Sequence, residues 1–141
     1  MPRKYISVAI KKLVRERANA CCEYCKSIEE FATEGFTIEH IIPIAKGGLD
    51  DIENLALACF GCNSFKTVKT EAIDPESGTL VLLFHPRKEA WSDHFEWSDD
   101  YTEIIGKTSS GRATVVALKL NRDGLLNLRE VLHQWGVHPK E

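Results

Sequence analysis

The chain has 141 residues, 43% of them apolar and 28% charged, with a net charge of −3. That length accommodates one compact domain, or a small module with an extension. No apolar run approaches the roughly 20 residues of a membrane span. The net sign argues against a nucleic-acid binder, but the charge is unevenly placed: residues 1–20 carry +5 and the other 121 carry −8. A basic arm ahead of an acidic body reads either as a phosphate-binding patch or as a solvated helix face. The opening stretch MPRKYISVAIKKLVRERANA is basic but lacks the apolar run of a signal peptide, so the expected setting is cytoplasmic, where thiols stay reduced.

In chain order, Ser7 is placed to cap a helix from about Val8 to Ala20, with Val8, Ile10, Leu13, Val14 and Ala18 as its apolar positions. The helix leads to Cys22-x-x-Cys25, and a second knuckle, Cys59-x-x-Cys62, follows after a 33-residue insert. Two such pairs in a reducing compartment read as a four-thiolate zinc site. Four thiolates leave no open position for water, so this zinc is structural, and its binding free energy becomes folding free energy. Disulfides are the competing reading, which the compartment disfavours. Cys21 is left over and competes with Cys22 as a ligand.

The insert begins with FTIEHIIPI, residues 36–44, an expected strand over 36–42 in which Glu39 and His40 interrupt the apolar run. Strand side chains alternate faces, and a charged Glu beside core costs several kcal/mol without a partner. The loop PIAKGGLDD comes next, where Gly47-Gly48 permits a tight reversal. A short strand Leu55–Cys59 and a helix from about Gly61 to Thr70 complete a strand, loop, strand, helix unit whose ends the zinc ties together. Asn54 opens the second strand and Asn63 directly follows a zinc ligand. A carboxylate from Glu39 and an amide oxygen from Asn63 suit a hard cation such as Mg²⁺. A neutral His40 beside that ion is placed to take a proton from water, while Asn54 hydrogen-bonds loop backbone.

IDPESG, residues 73–78, is a turn-rich break. Beyond it TLVLLF (79–84) reads as a strand, residues 94–97 and 102–107 as a hairpin, and GRATVVALKLN and GLLNLREVLHQW as two helices. Trp91, Phe95 and Trp97 read as packing aromatics rather than a base-stacking platform. His85 and His94 read as structural, and His133 and His138 as solvent-facing. Arg87, Arg112 and Arg122 are candidate phosphate contacts on a face that Asp93, Asp99 and Asp100 make acidic.

Taken together, Cys22-x-x-Cys25, Glu39-His40-Ile41-Ile42-Pro43, Gly47-Gly48, Glu53-Asn54-Leu55 and Cys59-x-x-Cys62-Asn63-x-x-Lys66 resemble the HNH endonucleases over roughly residues 12–70. Glu39 stands where that family more often has Asp, and Asn63 where its last letter is His. The resemblance implies an α+β fold, with a zinc-stapled ββα-metal (His-Me finger) core in residues 1–72 and an α/β C-terminal extension in residues 73–141 packed on it. The extension is similar to one found on some bacterial members, and its expected role is packing or dimerisation. The resemblance implies His40 as general base, Glu39 and Asn63 as ligands of a catalytic Mg²⁺ or Mn²⁺, and Asn54 as the structural asparagine. Cys22, Cys25, Cys59 and Cys62 would hold the zinc. Lys66 is the implied phosphate contact, with Arg15, Arg17 and Lys46 as further nucleic-acid-binding candidates. The implied activity is metal-dependent hydrolysis of DNA phosphodiester bonds, with RNA as the alternative substrate and no membrane partner. A homodimer, or a protein partner that supplies specificity, is the expected assembly. The rival readings are a zinc-stabilised nucleic-acid-binding module with little or no cleavage, and a zinc-scaffolded interaction module.

Overall fold

The computed structural model describes residues 6–140, so Arg3 and Lys4 of the basic arm lie outside the described residues. Helix α1 (Val8–Arg17) starts where expected, with the Ser7 hydroxyl accepting from the Ile10 amide at 3.2 Å. It ends three residues before Ala20. Asn19 and Ala20 adopt left-handed φ values of 55° and 54°, which no helix continues through. The turn they form delivers Cys21 and Cys22 into the core.

Strands β1 (Thr37–His40) and β2 (Leu55–Ala58) pair antiparallel, with Glu39 opposite Ala56 and His40 opposite Leu55. β2 is buried along its whole length, as its sequence Leu-Ala-Leu-Ala requires. β1 is shorter than the expected 36–42. Ile41 and Ile42 leave the ladder to bond Asn54, whose backbone carbonyl and side-chain carbonyl accept their two amides at 2.8 and 2.9 Å. Helix α2 (Phe60–Lys66) follows, capped by Cys59, whose sulfur accepts from the Cys62 amide at 3.4 Å. It stops at Lys66 rather than Thr70, because Thr67 turns to φ 50°.

The turn-rich stretch at 73–78 is the reversal of a hairpin. Strand β3 (Glu71–Ile73), too short to be read from the sequence, pairs antiparallel with β4 (Leu80–Leu82). Helix α3 (Trp91–His94) runs into β5 (Phe95–Trp97), which pairs with β6 (Ile104–Gly106) as the expected hairpin. Helices α4 (Ser109–Ala117) and α5 (Asp123–Gln134) close the chain. None of the described helices is long and apolar enough to cross a membrane.

One apolar cluster joins both halves. Val14, Tyr24, Leu55 and Leu57 from the first half are packed with Phe84, Phe95, Ile104, Leu118 and Leu120 from the second. Phe84 meets Tyr24 and Phe95 edge-on, at ring separations of 6.4 and 5.2 Å, the arrangement aromatic quadrupoles favour. Trp91 lies tilted against Phe95 and Trp97 at ring separations of 5.2 and 5.4 Å, so these aromatics serve packing as expected.

Two polar assignments differ from the sequence reading. His138 is buried rather than solvent-facing: its Nε2 bonds the Tyr101 carbonyl at 2.9 Å and its ring lies edge-on against Trp97. Arg112, a candidate phosphate contact, is bound to Asp74 in the β3–β4 turn through two parallel bonds of 2.9 Å. Asp74 also accepts from the Ser77 hydroxyl at 2.7 Å and from the Glu76 and Ser77 amides. Arg112 foremost, then Ser77, holds the Asp74 carboxyl far below the ordinary carboxylate value of 3.8. A depressed carboxylate stabilises the fold fully above its unfolded value and loses that contribution as pH falls through and below it. Thermal unfolding from pH 6 to pH 2 should therefore show a steep loss below about pH 4 in the native chain. Asp74→Asn should start less stable and lose less over the same interval; parallel acid limbs would exclude this ion pair as the cause.

Candidate functional site

The four cysteines of the two knuckles are all buried, and their sulfur atoms lie within 4.8 Å of one another. A tetrahedral zinc ion with Zn–S bonds of about 2.3 Å sets its sulfurs roughly 3.8 Å apart. The Cys25–Cys59 separation of 3.6 Å meets that spacing, so the donor set fits a structural zinc. The site chemistry agrees. Burial pushes the Cys22 thiol well up, whereas hydrogen bonds from Cys22, Cys25 and Cys62 hold Cys59 far below the thiol range. A bound cation would bring all four to the thiolate form. Cys21, the competing ligand, stands outside the cluster, its thiol pointing to the Asn19 carbonyl at 3.4 Å.

Arginine from the extension completes this centre. The Arg122 guanidinium, expected near phosphate, donates to the Cys59 sulfur at 3.4 Å and to the Cys62 sulfur at 3.7 and 3.8 Å. Room for it depends on Gly61, where an added Cβ would meet the Arg122 Nη2 at 2.4 Å. Arg129 donates to the Cys25 carbonyl at 3.3 Å. Two further bonds tie the first knuckle to the extension. Arg87 pairs with Glu23, and the Trp91 indole N–H bonds the Tyr24 carbonyl at 3.0 Å. None of Arg87, Arg112 and Arg122 is therefore displayed for phosphate.

Glu39 and His40 part company at the end of β1. Glu39 turns inward, where its Oε1 accepts from the Tyr24 hydroxyl and its Oε2 lies 3.6 Å from the Lys66 ammonium. Burial raises the Glu39 carboxyl, and the Lys66 charge works against that rise. Burial and the Glu39 charge together push the Tyr24 phenol well up, so it remains a donor. Lys66 corrects an expectation: it is only 1% exposed, and its ammonium donates to the Ile41 carbonyl at 2.8 Å. It neutralises a buried acid instead of meeting a phosphate.

His40 engages a different partner, Asp50, whose Oδ1 bonds Nε2. Asp50 comes from the loop after the Gly47-Gly48 reversal, where Gly47 has φ 89° and a Cβ on Gly48 would strike the Ile42 carbonyl at 1.7 Å. Asn54 anchors that loop, its amide donating to the Ile42 carbonyl at 3.0 Å and the Leu49 carbonyl at 2.9 Å. Fixing Leu49 fixes its neighbour Asp50.

Asn63 is half-buried on α2, on the face it shares with Lys66 one turn later. Its side-chain amide makes no hydrogen bond among the described residues, so its oxygen is open to a ligand. The other basic candidates divide. Arg15 is taken by Glu29 at 3.2 Å and by the Phe36 carbonyl. Arg17 bonds the Ile52 and Leu55 carbonyls at 3.1 and 2.8 Å, staying exposed. Lys46 is exposed at the start of the reversal. Sequence reasoning missed Tyr24 and Asp50. The signals were Tyr24's place between two zinc ligands and Asp50's place beside the reversal that Asn54 pins.

An antiparallel β-pair followed by a helix, stapled by four cysteines and carrying a Glu-His pair at the strand end, is the ββα-metal architecture. Residues 22–69 match the family model of the HNH endonucleases, about one third of the chain, which bears out the resemblance over that segment. The enzymes of that family are nucleases, so the match points to a nucleic-acid substrate. No curated protein and no solved structure matches the chain.

Two outcomes test this centre. Arg122→Ala should leave zinc bound but speed its transfer to a chromogenic chelator by about tenfold, the scale seen when an outer-shell partner is removed. An unchanged release rate would mean that Arg122 merely packs there. Lys66→Met should cost about 3–5 kcal/mol in denaturant unfolding, because Glu39 is left as an unpaired buried charge.

Proposed function

We propose that this protein is a metal-dependent endonuclease that hydrolyses DNA phosphodiester bonds, with His40 as general base. The observation that carries the reading is the His40–Asp50 pair at the end of the strand bearing Glu39, inside the segment that matches the HNH endonucleases. Asp50 accepts from Nε2–H of the imidazole. The carboxylate fixes that tautomer and stabilises the imidazolium formed once the proton is taken. The activated water attacks the phosphorus in line with the departing 3′ oxygen.

Glu39 and Asn63 offer the hard oxygen donors that Mg²⁺ or Mn²⁺ prefers. Each Glu39 oxygen keeps acceptor capacity beyond its present neighbour, and the unpartnered Asn63 amide supplies the second donor. Such a cation, when bound, would offset the charge building on the scissile phosphate and the leaving oxygen. Tyr24 and Lys66 hold the Glu39 carboxylate in one orientation, and Asn54 positions the loop that carries Asp50. A cytoplasmic setting suits the four reduced cysteines.

One observation favours a second reading, a nucleic-acid-binding module with little cleavage. Tyr24 and Lys66 already satisfy Glu39 without a metal. Nicking of supercoiled plasmid in Mg²⁺ or Mn²⁺ decides between the two. The native chain should cut, and His40→Ala should lower the rate by about 10²–10⁴, the usual yield of a positioned base. Asp50→Asn should lower it by a smaller factor, with the pH profile displaced. If a zinc-loaded, cooperatively folded native chain cuts neither DNA nor RNA with any divalent ion, the binding module replaces the nuclease.

A further inference from the structure

Directly after the Glu39-His40 pair, Ile41 and Ile42 enter the wall of a cavity of about 810 Å³ that the extension closes from the other side. Neither Glu39 nor His40 lines it, but Lys66, which touches Glu39, forms part of its floor. Its volume falls within the ~300–1,000 Å³ of sites that enclose an organic ligand. It is far larger than a lone phosphate needs.

The charge of the lining is one-sided. Lys46, Lys69 and Lys88 stand on its rim with exposed side chains. Glu89 supplies the single carboxylate, and both its oxygens are engaged, Oε1 with the His85 amide at 3.0 Å and Oε2 with His94 at 2.8 Å. Three rim ammonium groups therefore face one carboxylate whose oxygens are already turned to other donors, and the net positive lining favours an anion.

Between the lysines the wall is apolar, formed by Ile41, Val81 and Leu82, and Leu82 is 69% exposed. His85 adds a flat ring. Its Nδ1 accepts from the Arg87 and Lys88 amides at 3.2 and 3.3 Å, which leaves the proton of the neutral ring on Nε2. Burial, with Lys88, holds this imidazole below its ordinary value, so it is neutral near pH 7 and offers a donor. An apolar wall, a flat ring and one polar edge do not suit a paired duplex, whose bases are stacked away and whose surface is phosphate and sugar. They suit an unstacked base, which presents a π-face and a hydrogen-bonding edge.

The geometry points to this cavity as the seat of an unpaired nucleotide flanking the scissile phosphate, with backbone phosphates on Lys46, Lys69 and Lys88 and the base against Val81, Leu82 and His85. The substrate is then single-stranded DNA, or a frayed or looped segment of a duplex, and the extension is the part that selects it. This rests on the nuclease reading only for what lies next to the cavity, since occupancy is a matter of binding.

Fluorescence anisotropy in Ca²⁺ buffer, with a labelled 15-nucleotide DNA strand and the blunt duplex made from it, tests the assignment without any cleavage. The native chain should bind the single strand at least tenfold more tightly than the duplex. The double change Lys69→Glu and Lys88→Glu should weaken single-strand binding at least tenfold and flatten its log–log salt dependence, by roughly 0.7 per lost phosphate contact. Leu82→Asp should weaken the single strand and leave the duplex unchanged. Melting curves confirm the fold, and Lys88→Ala alone replaces the double variant if that one unfolds. Equal affinity of the native chain for both forms overturns the assignment. So does a charge reversal that weakens both forms equally while Leu82→Asp changes neither. A native chain that binds single strands in this way yet cuts nothing leaves the cavity assigned and removes only the nuclease.

Discussion

Four sulfur atoms drawn to one point are the constraint on which the rest of the molecule hangs. The chain between the knuckles forms a four-residue strand pair and three single-turn 3₁₀ helices, and α2 has seven residues. Elements that short are marginal by themselves. The cysteine cluster converts them into a fixed frame, because the same cysteines that would ligate zinc also end β2 and begin α2. Cys59 does both, as ligand and as helix cap. The orientation of Asn63 and Lys66 is therefore set by metal geometry before any packing of α2 is counted.

The extension is a partner of that frame. Arg87 holds Glu23, Trp91 holds the Tyr24 carbonyl and Arg129 holds the Cys25 carbonyl, so three consecutive residues of the first knuckle are gripped from the second half. Glu23 is joined in turn to β2, its carboxylate and amide meeting the Leu57 amide and carbonyl at 2.8 and 2.9 Å. Through Tyr24 this grip reaches Glu39. The buried carboxylate, the zinc frame and the extension thus form one mechanical unit, in which Tyr24 and Lys66 stabilise a charge that burial alone would expel.

What could be read in the sequence was what residue identity and spacing state by themselves. The paired cysteines meet in space, Ser7 caps its helix, and Asn54 binds loop carbonyls because an asparagine at a loop–strand junction has few other uses. The hairpin over 95–106 falls within the 94–107 read from the sequence. What escaped was decided by neighbours distant in the chain. Lys66 looks like a surface lysine on a helix until Glu39 and Ile41 are placed beneath it. Arg87, Arg112 and Arg122 look like phosphate contacts until Glu23, Asp74 and the cysteine sulfurs appear. A three-residue strand such as β3 carries no periodicity to detect, and its existence depends on β4.

The capping of α2 by a metal-binding cysteine also bears on how the chain is made. During synthesis the first knuckle emerges with two thiols, half of a coordination shell once metal binding deprotonates them. The remaining two follow at Cys59 and Cys62, roughly 2–7 seconds later at ordinary translation rates. Until then α2 lacks both its cap and its anchor. Arg122 and Arg129 emerge later still, so the centre would first close without its arginine neighbours and be locked only once α5 has emerged. The ion's arrival, rather than collapse of the apolar chain, then becomes the event that starts the folding of the first half.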